Sequence, residues 1–402
     1  MKKAIILFLA LSLAVMGAAL PAAASQAGKL LIWADSVRTP VLKTAADAFT
    51  KEFKVDVDIV EVPFGDIRGK LATAGPAGEG PDIIVGPHDW LGELVANGLI
   101  APIVLSGSEK AKFVPVTTDA FTYNGKLYGV PYAMEAIALI YNKKMVPTPP
   151  KTFEELIAIA KKLTDKKKGT YGFMLPGADA YHSYPLISAY GGYIFGHDAN
   201  GNFNPKDVGL DSAGAIKGAQ LIDRLIKEGV QPKGADYSTM QNLFKEGKLG
   251  MMITGPWEIA NAKAGKINYA VAKIPTIEGK TARPFVGVQG FMVSAHSKNT
   301  VLANEFLKSY IATKDIMLAL YKKDPRIPAY KPALDAVDDN PDLKAFAASA
   351  ADGEPMPSIP EMAAVWGAYG DKLTLILNGE QAPDKAMKDM AAQVRKSIEG
   401  GK

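Results

Sequence analysis

No cysteine occurs in the 402-residue chain, which excludes disulfides, a thiol nucleophile and thiolate metal sites together. It also leaves no thiol at which a lipid anchor could be joined to the mature N-terminus. Histidine is scarce. The four present, His88, His182, His197 and His296, have neither metal-ligand nor catalytic-triad spacing, so no metal and no cofactor is expected. Neither sign of charge dominates, with 46 Lys and Arg against 42 Asp and Glu. Setting aside Lys2 and Lys3 halves the formal net charge of +4, too little to argue for a nucleic acid or a membrane surface. Past the first residues no apolar run approaches the ~20 residues of a membrane span.

The exception is the N-terminus. Lys2 and Lys3 precede an apolar run from Ala4 to Leu20, followed by Pro21-Ala-Ala-Ala24. A basic segment, an apolar segment and small residues at a cleavage site make a secretory signal peptide, expected to span residues 1–24. The mature protein is therefore expected to be exported and soluble, and periplasmic in a cell with two membranes. With 48% hydrophobic and 22% charged residues and a mean hydropathy of +0.03, it reads as an ordinary globular protein. Its length exceeds the ~250–300 residues at which single cores stop growing, so two lobes are expected.

The mature chain opens with the apolar run Lys29–Ala34, suited to a buried strand. Val41, Leu42, Ala45, Phe49 and Phe53 then recur at helical spacing, and residues 55–60 alternate with strand period. Between strand and helix lies the polar loop 35–40. Ligands of open α/β sheets bind at that carboxyl edge, which makes Asp35 and Arg38 cleft candidates, although turn chemistry also accounts for an Asp there. The Gly-rich loop 75–81 runs from helix into strand, opposite to a phosphate-binding loop. After the strand 82–85 come His88, Asp89 and Trp90, again at a carboxyl end. A second α/β series begins near Pro149, where Thr152 and Glu155 form a capping box. Between the two series, Tyr128–Lys144 is extended and apolar but carries one carboxylate, Glu135. Burying it unpaired would cost several kcal/mol, so it faces a cleft, a partner or solvent.

The segments KLLIWAD, GEGPDIIVGPHDWLG, YGVPYAMEAIALIYNKK, YPLISAYGGYIF, ITGPW, PFVGVQG and MPSIPEMAAVW follow one another in this order across the mature chain. In order and spacing they resemble the periplasmic maltose- and maltodextrin-binding proteins of ABC importers. The resemblance implies an α/β, two-lobed periplasmic-binding-protein fold with crossing hinge strands and a central ligand cleft. It implies a first lobe of residues 25–133 and 290–328, a second of 137–285 and 332–402, and a hinge near 134–136, 286–289 and 329–331. The implied function is delivery of an α-glucan oligosaccharide to ABC importer permease subunits in the inner membrane, by a monomer that is not an enzyme.

Residue by residue, the resemblance implies that Glu135 and Asp89 hydrogen-bond sugar hydroxyls and that Tyr181, Trp257 and Trp366 stack on pyranose rings. Met356 would line the cleft, Asp179 stands where the family has a ligand-contacting Glu, and Asp35 and Arg38 fall near an Asp-Lys pair. Three positions depart from the family: Gly86 replaces a Trp, Trp90 an Arg, and Gly370 an Arg. Either Trp90 supplies the stacking surface lost at Gly86, or it packs in the core beside Leu94. Trp366 also shares a helical stripe with Met362 and Val365, a core pattern. Two other functions remain open: the same fold with a different oligosaccharide such as trehalose or sucrose, and a glycoside hydrolase using Glu135 and Asp89 as its carboxylate pair.

Overall fold

The computed structural model describes residues 25–176, 178–199 and 201–400; the expected signal peptide lies outside them. Among the described residues twelve strands form two large sheets, and four more make two separate two-stranded pairs. The twelve are β1 (Lys29–Ala34), β2 (Asp56–Glu61), β3 (Ile83–Pro87), β4 (Ile100–Ala101), β5 (Gly129–Glu135), β6 (Ala138–Asn142), β7 (Tyr171–Met174), β8 (Leu249–Thr254), β9 (Tyr269–Ala272), β10 (Phe285–Ser294), β11 (Ile327–Pro328) and β12 (Glu354–Pro355). The first sheet has the order β11-β5-β10-β3-β1-β2, with β4 and β12 also paired to β10; the second has the order β9-β6-β8-β7.

Apolar runs become strands covered on both faces, which is why they need no alternation. Leu30 to Ala34 are all buried, Trp33 among them, and so is every residue of β10. The helix Thr39–Phe53 lays Val41, Leu42, Ala45 and Phe49 on the first sheet. In the second lobe the Thr152–Glu155 capping box starts the helix Phe153–Leu163, with Thr152 Oγ1 accepting from Glu155 N. Each lobe has its own core. Ile32, Phe49, Ile84, Phe291 and Phe306 pack in the first lobe, and Phe153, Phe173, Tyr184, Met251 and Tyr369 in the second.

Three segments join the lobes, and they position the site. β5 ends at Glu135 in the first sheet, and β6 starts at Ala138 in the second. Along β10, Phe285 and Val286 pair with β12, whereas Gly287 onward pairs with β5. The third segment leaves the first lobe later than the expected 329–331. Ala329 N still donates to Tyr132 O and Lys331 N to Lys112 O, and Ala333 packs in the first-lobe core. Leu343 and Phe346, on the helix Pro341–Asp352, pack against the second sheet.

Candidate functional site

At the carboxyl end of β3 the chain turns through a short 3-10 segment, His88–Trp90, into the helix Leu91–Ala96. His88 is buried. Its Nδ1 accepts from Val288 N at 3.0 Å, which leaves Nε2 to donate to Met356 O at 3.1 Å. One ring thus ties the first lobe to β10 and to the segment after β12. Burial lowers His88 to about 4, so it is neutral at neutral pH. The turn aims Asp89 between the lobes, where Oδ2 accepts from Trp366 Nε1 at 3.1 Å. Asp89 Oδ1 is buried with no hydrogen-bond partner. Burial raises this carboxyl to about 6, against the opposing pull of Arg68 and the Trp366 hydrogen bond.

Glu135, at the end of β5, is buried as well, and its partners resolve the cost foreseen for a carboxylate in an apolar strand. Oε1 accepts from Gln289 Nε2 at 3.0 Å, and Oε2 pairs with Arg326 Nε. Arg326 also pairs with Asp324, which accepts from Arg38 Nη2 at 2.8 Å. Arg38 in turn reaches Asp35 Oδ2 at 2.5 Å and Tyr132 OH at 2.6 Å. Alternating charges therefore run Asp35, Arg38, Asp324, Arg326, Glu135 across the base of the cleft. Burial pulls Arg326 down to about 9, which still leaves it charged at neutral pH. For Arg38 burial opposes the charge, but Tyr132 and Asp35 outweigh it and hold the group raised.

The second lobe supplies the rings. Asp179 caps the helix Ala180–Ser188 by accepting from His182 N at 3.1 Å, and the next residue, Ala180, lets Tyr181 follow at the cleft wall. Burial alone would raise Asp179, but His182, 3.1 Å away through Nδ1, outweighs it and keeps the carboxyl low. Trp257 follows β8 in the Gly255-Pro256-Trp257 turn. A Cβ at Gly255 would lie 2.1 Å from the indole, so only glycine lets the ring fold back there. Trp257 Nε1 donates to Tyr237 OH at 2.5 Å, which fixes the ring plane. Tyr181 and Trp257 are 6.2 Å apart, and Phe285 lies 6.2 Å from both Tyr181 and Trp366.

These side chains enclose a cavity of about 480 Å³ between the lobes. Seven of the ten candidates line it: Asp89, Glu135, Asp179, Tyr181, Trp257, Met356 and Trp366. Asp35 and Arg38 line an adjoining cavity of about 580 Å³ instead. Trp90 lines neither, which corrects the stacking role considered for it. It is 8% exposed and packs in the first-lobe core, with its ring where a Gly86 side chain would stand: a Cβ there would be 2.5 Å from Trp90 Cε3. Phe64, 5.5 Å from Trp90, is the first-lobe ring that reaches the cavity. A Cβ at Gly370 would meet only Ala178 O, at 3.4 Å, so the side chain missing there leaves open space.

Sequence reasoning missed Phe64, His182, Tyr237, Gln289 and Arg326, all in the cavity wall. Gln289 was visible as a polar residue inside the apolar run of β10, the same signal that pointed to Glu135. Arg326 gave no such signal. The arrangement suits a neutral polyhydroxyl ligand: rings for C–H faces, and Asp89 Oδ1 and Gln289 Oε1 as buried acceptors left without partners. Among the described residues no cluster of His, Asp and Glu could hold a metal ion.

Residues 44–351 match the bacterial extracellular solute-binding protein family. The chain belongs to that family. This solute-binding protein is 34% identical to the galactooligosaccharide-binding protein of Bacillus subtilis (strain 168), over 92% of this chain and 90% of that one. It is 31% identical to the maltotriose-binding protein of Pyrococcus abyssi (strain GE5 / Orsay), over 93% and 83% respectively. A crystal structure of a cyclo/maltodextrin-binding protein complexed with maltotetraose superposes with a TM-score of 0.80 at 36% identity, covering 93% of this chain and 98% of that one. These relatives are binding proteins, and the solute-binding protein described here is not an enzyme. No helix among its described residues is long and apolar enough to cross a membrane.

Proposed function

We propose that this solute-binding protein is the extracytoplasmic receptor of an ABC importer and that it binds an oligosaccharide of α-linked glucose in the interlobe cavity. The observation that carries the reading is the pairing of three half-buried rings, Tyr181, Trp257 and Trp366, with two buried oxygens that have no partner, Asp89 Oδ1 and Gln289 Oε1. Sugar hydroxyls would satisfy those acceptors while the rings cover C–H faces. Relatives that bind maltotriose and maltodextrin support the choice of glucan. The protein acts as a monomer that delivers its ligand to permease subunits in the inner membrane. Some relatives are lipoproteins, but this cysteine-free chain offers no thiol for a lipid and works free in the periplasm. Isothermal titration against maltose, longer maltodextrins, trehalose, sucrose and xylo-oligosaccharides tests the reading, with maltodextrin binding expected and none with maltodextrin overturning it. A galacto-oligosaccharide is the second reading. It is favoured by the relative at 34% identity and by a ring trough that does not by itself distinguish hexose epimers.

A further inference from the structure

The interlobe cavity has a neighbour walled by the first lobe alone. One cavity, of about 480 Å³, is walled by the second-lobe rings and by Asp89 and Glu135; the other, of about 580 Å³, by the loop 35–38 and residues 61–64. Only Phe64 and Arg326 belong to both linings. We propose that Arg326 and Phe64 form a partition that sets how long a glycan the cleft accepts, with the chamber around Asp35 and Arg38 shut off behind them. This rests on the reading of the protein as a glycan receptor.

Both halves of the partition are fastened. Arg326 pairs with Glu135 through Nε and with Asp324 through Nη1, and its guanidinium carbon stands 5.0 Å above the Trp257 ring of the other lobe. Swinging it aside would leave the buried Glu135 carboxylate without a cation and Asp324 with Arg38 alone, so displacing it would cost a ligand binding energy. Phe64 is gripped from behind by Trp90 at 5.5 Å and by the Arg38 guanidinium at 5.1 Å. The Trp90 ring takes the room left by Gly86 and holds Phe64 forward, which links the sequence departures at 86 and 90 to a function in the cleft. The guanidinium over Trp257 also covers part of the face on which a sugar ring would stack. A glycan lying along Tyr181, Trp257 and Trp366 therefore meets a fixed end, while a second cavity, with Val37, Val62 and Pro63 beside Asp35, Arg38 and Glu61 in its wall, lies beyond it.

The test is calorimetric titration of wild type, Phe64→Ala and Phe64→Tyr with α-1,4-glucans of graded length from maltose upward, and with a graded galacto-oligosaccharide series. The readout is the ratio of affinities for longer and shorter members of one series within each protein. For wild type this ratio is expected to stop rising once the first cavity is full. In Phe64→Ala it should go on rising over at least one more unit, by about fivefold, the scale of an added hydrogen bond. Phe64→Tyr keeps the wall and should level off with wild type. Arg326 is not the first choice for truncation, because loss of its charge leaves the buried Glu135 without a cation. A length profile in Phe64→Ala that matches wild type, or an equal loss at every length, overturns the partition while leaving the glycan reading intact. Failure of wild type to bind either series overturns both.

Discussion

Asp89 and Glu135 sit in the same cleft but differ in what the protein gives them. Asp89 keeps one oxygen free, and burial raises its carboxyl from 3.8 to about 6. In the unfolded chain it titrates near the lower value, so between about pH 4 and about pH 6 the folded protein holds the extra proton. Stability then falls as pH rises through that window, by at most about 3 kcal/mol, and is level above it. Asp89→Asn removes the titration, so the difference in urea-unfolding free energy between the two proteins should change across the window; a constant difference would refute the shift. Both oxygens of Glu135 already have partners, Gln289 and Arg326, so the sugar-binding role proposed for it is joined to a structural one. Glu135→Gln takes one of two counter-charges from Arg326 while Asp324 keeps the other. Losing a partner from a buried pair costs about 3–5 kcal/mol, and with the second carboxylate in place about 1–3 kcal/mol of stability should go. Sugar binding should weaken with it by about 1.5–3 kcal/mol, the scale of a hydrogen bond to a charged group. Denaturation and titration of the same variant check the pair, and native stability would mean that Asp324 alone suffices for Arg326.

The turn from β3 into the helix Leu91–Ala96 places a large ring over a glycine, and the two positions act as one. Trp90→Ala should cost about 3–5 kcal/mol of stability as a core truncation. Gly86→Ala brings a Cβ within 2.5 Å of that ring and should cost about 1–3 kcal/mol by overpacking. In the Trp90→Ala background the Gly86→Ala cost should largely vanish, and additive unfolding free energies would mean that the ring does not depend on Gly86. The same turn shows where reading the sequence succeeds and where it stops. β1, β5 and β10 are legible because continuous apolar runs have one stable placement, covered on both faces, and Glu135 stands out because a carboxylate within such a run needs a reason. Trp90 was ambiguous because a Trp four residues before Leu94 on a helix serves a core or a ligand equally well, and only the space above Gly86 decides between them. Arg326 was illegible because its role depends on three partners, Glu135, Trp257 and Asp324, two of them far away in sequence and brought together only by the crossing segments. Asp35 and Arg38 were found by their loop, but their hydrogen bonds go to one another and to Tyr132 and Asp324, which no local pattern reveals.

Across the whole molecule the lobes touch through Trp366 and Asp89, through Arg326 above Trp257, and through the helix Leu91–Ala96 against residues 358–360. A ligand in the cavity between them touches side chains of both, so it binds the closed arrangement better than an open one and shifts the population toward it. Saturating sugar should accordingly reduce the radius of gyration in small-angle scattering. Gly92 tests whether the closed arrangement is what binding requires. A Cβ at this position would lie 2.4 Å from Ile359 C, Pro360 N and Ser358 O, all backbone atoms of the other lobe that cannot rotate away. Once the lobes part, that obstacle is gone, so Gly92→Ala penalises only the closed form. An overpacking cost of about 1–3 kcal/mol would appear as a loss of about 5- to 150-fold in sugar affinity. The melting temperature without sugar should hardly move if the unliganded protein is open, and the compaction with sugar should be smaller than in wild type at equal saturation. A lowered melting temperature with native affinity would mean that the lobes are already closed without ligand. Unchanged affinity and unchanged compaction would show that this contact plays no part in closure.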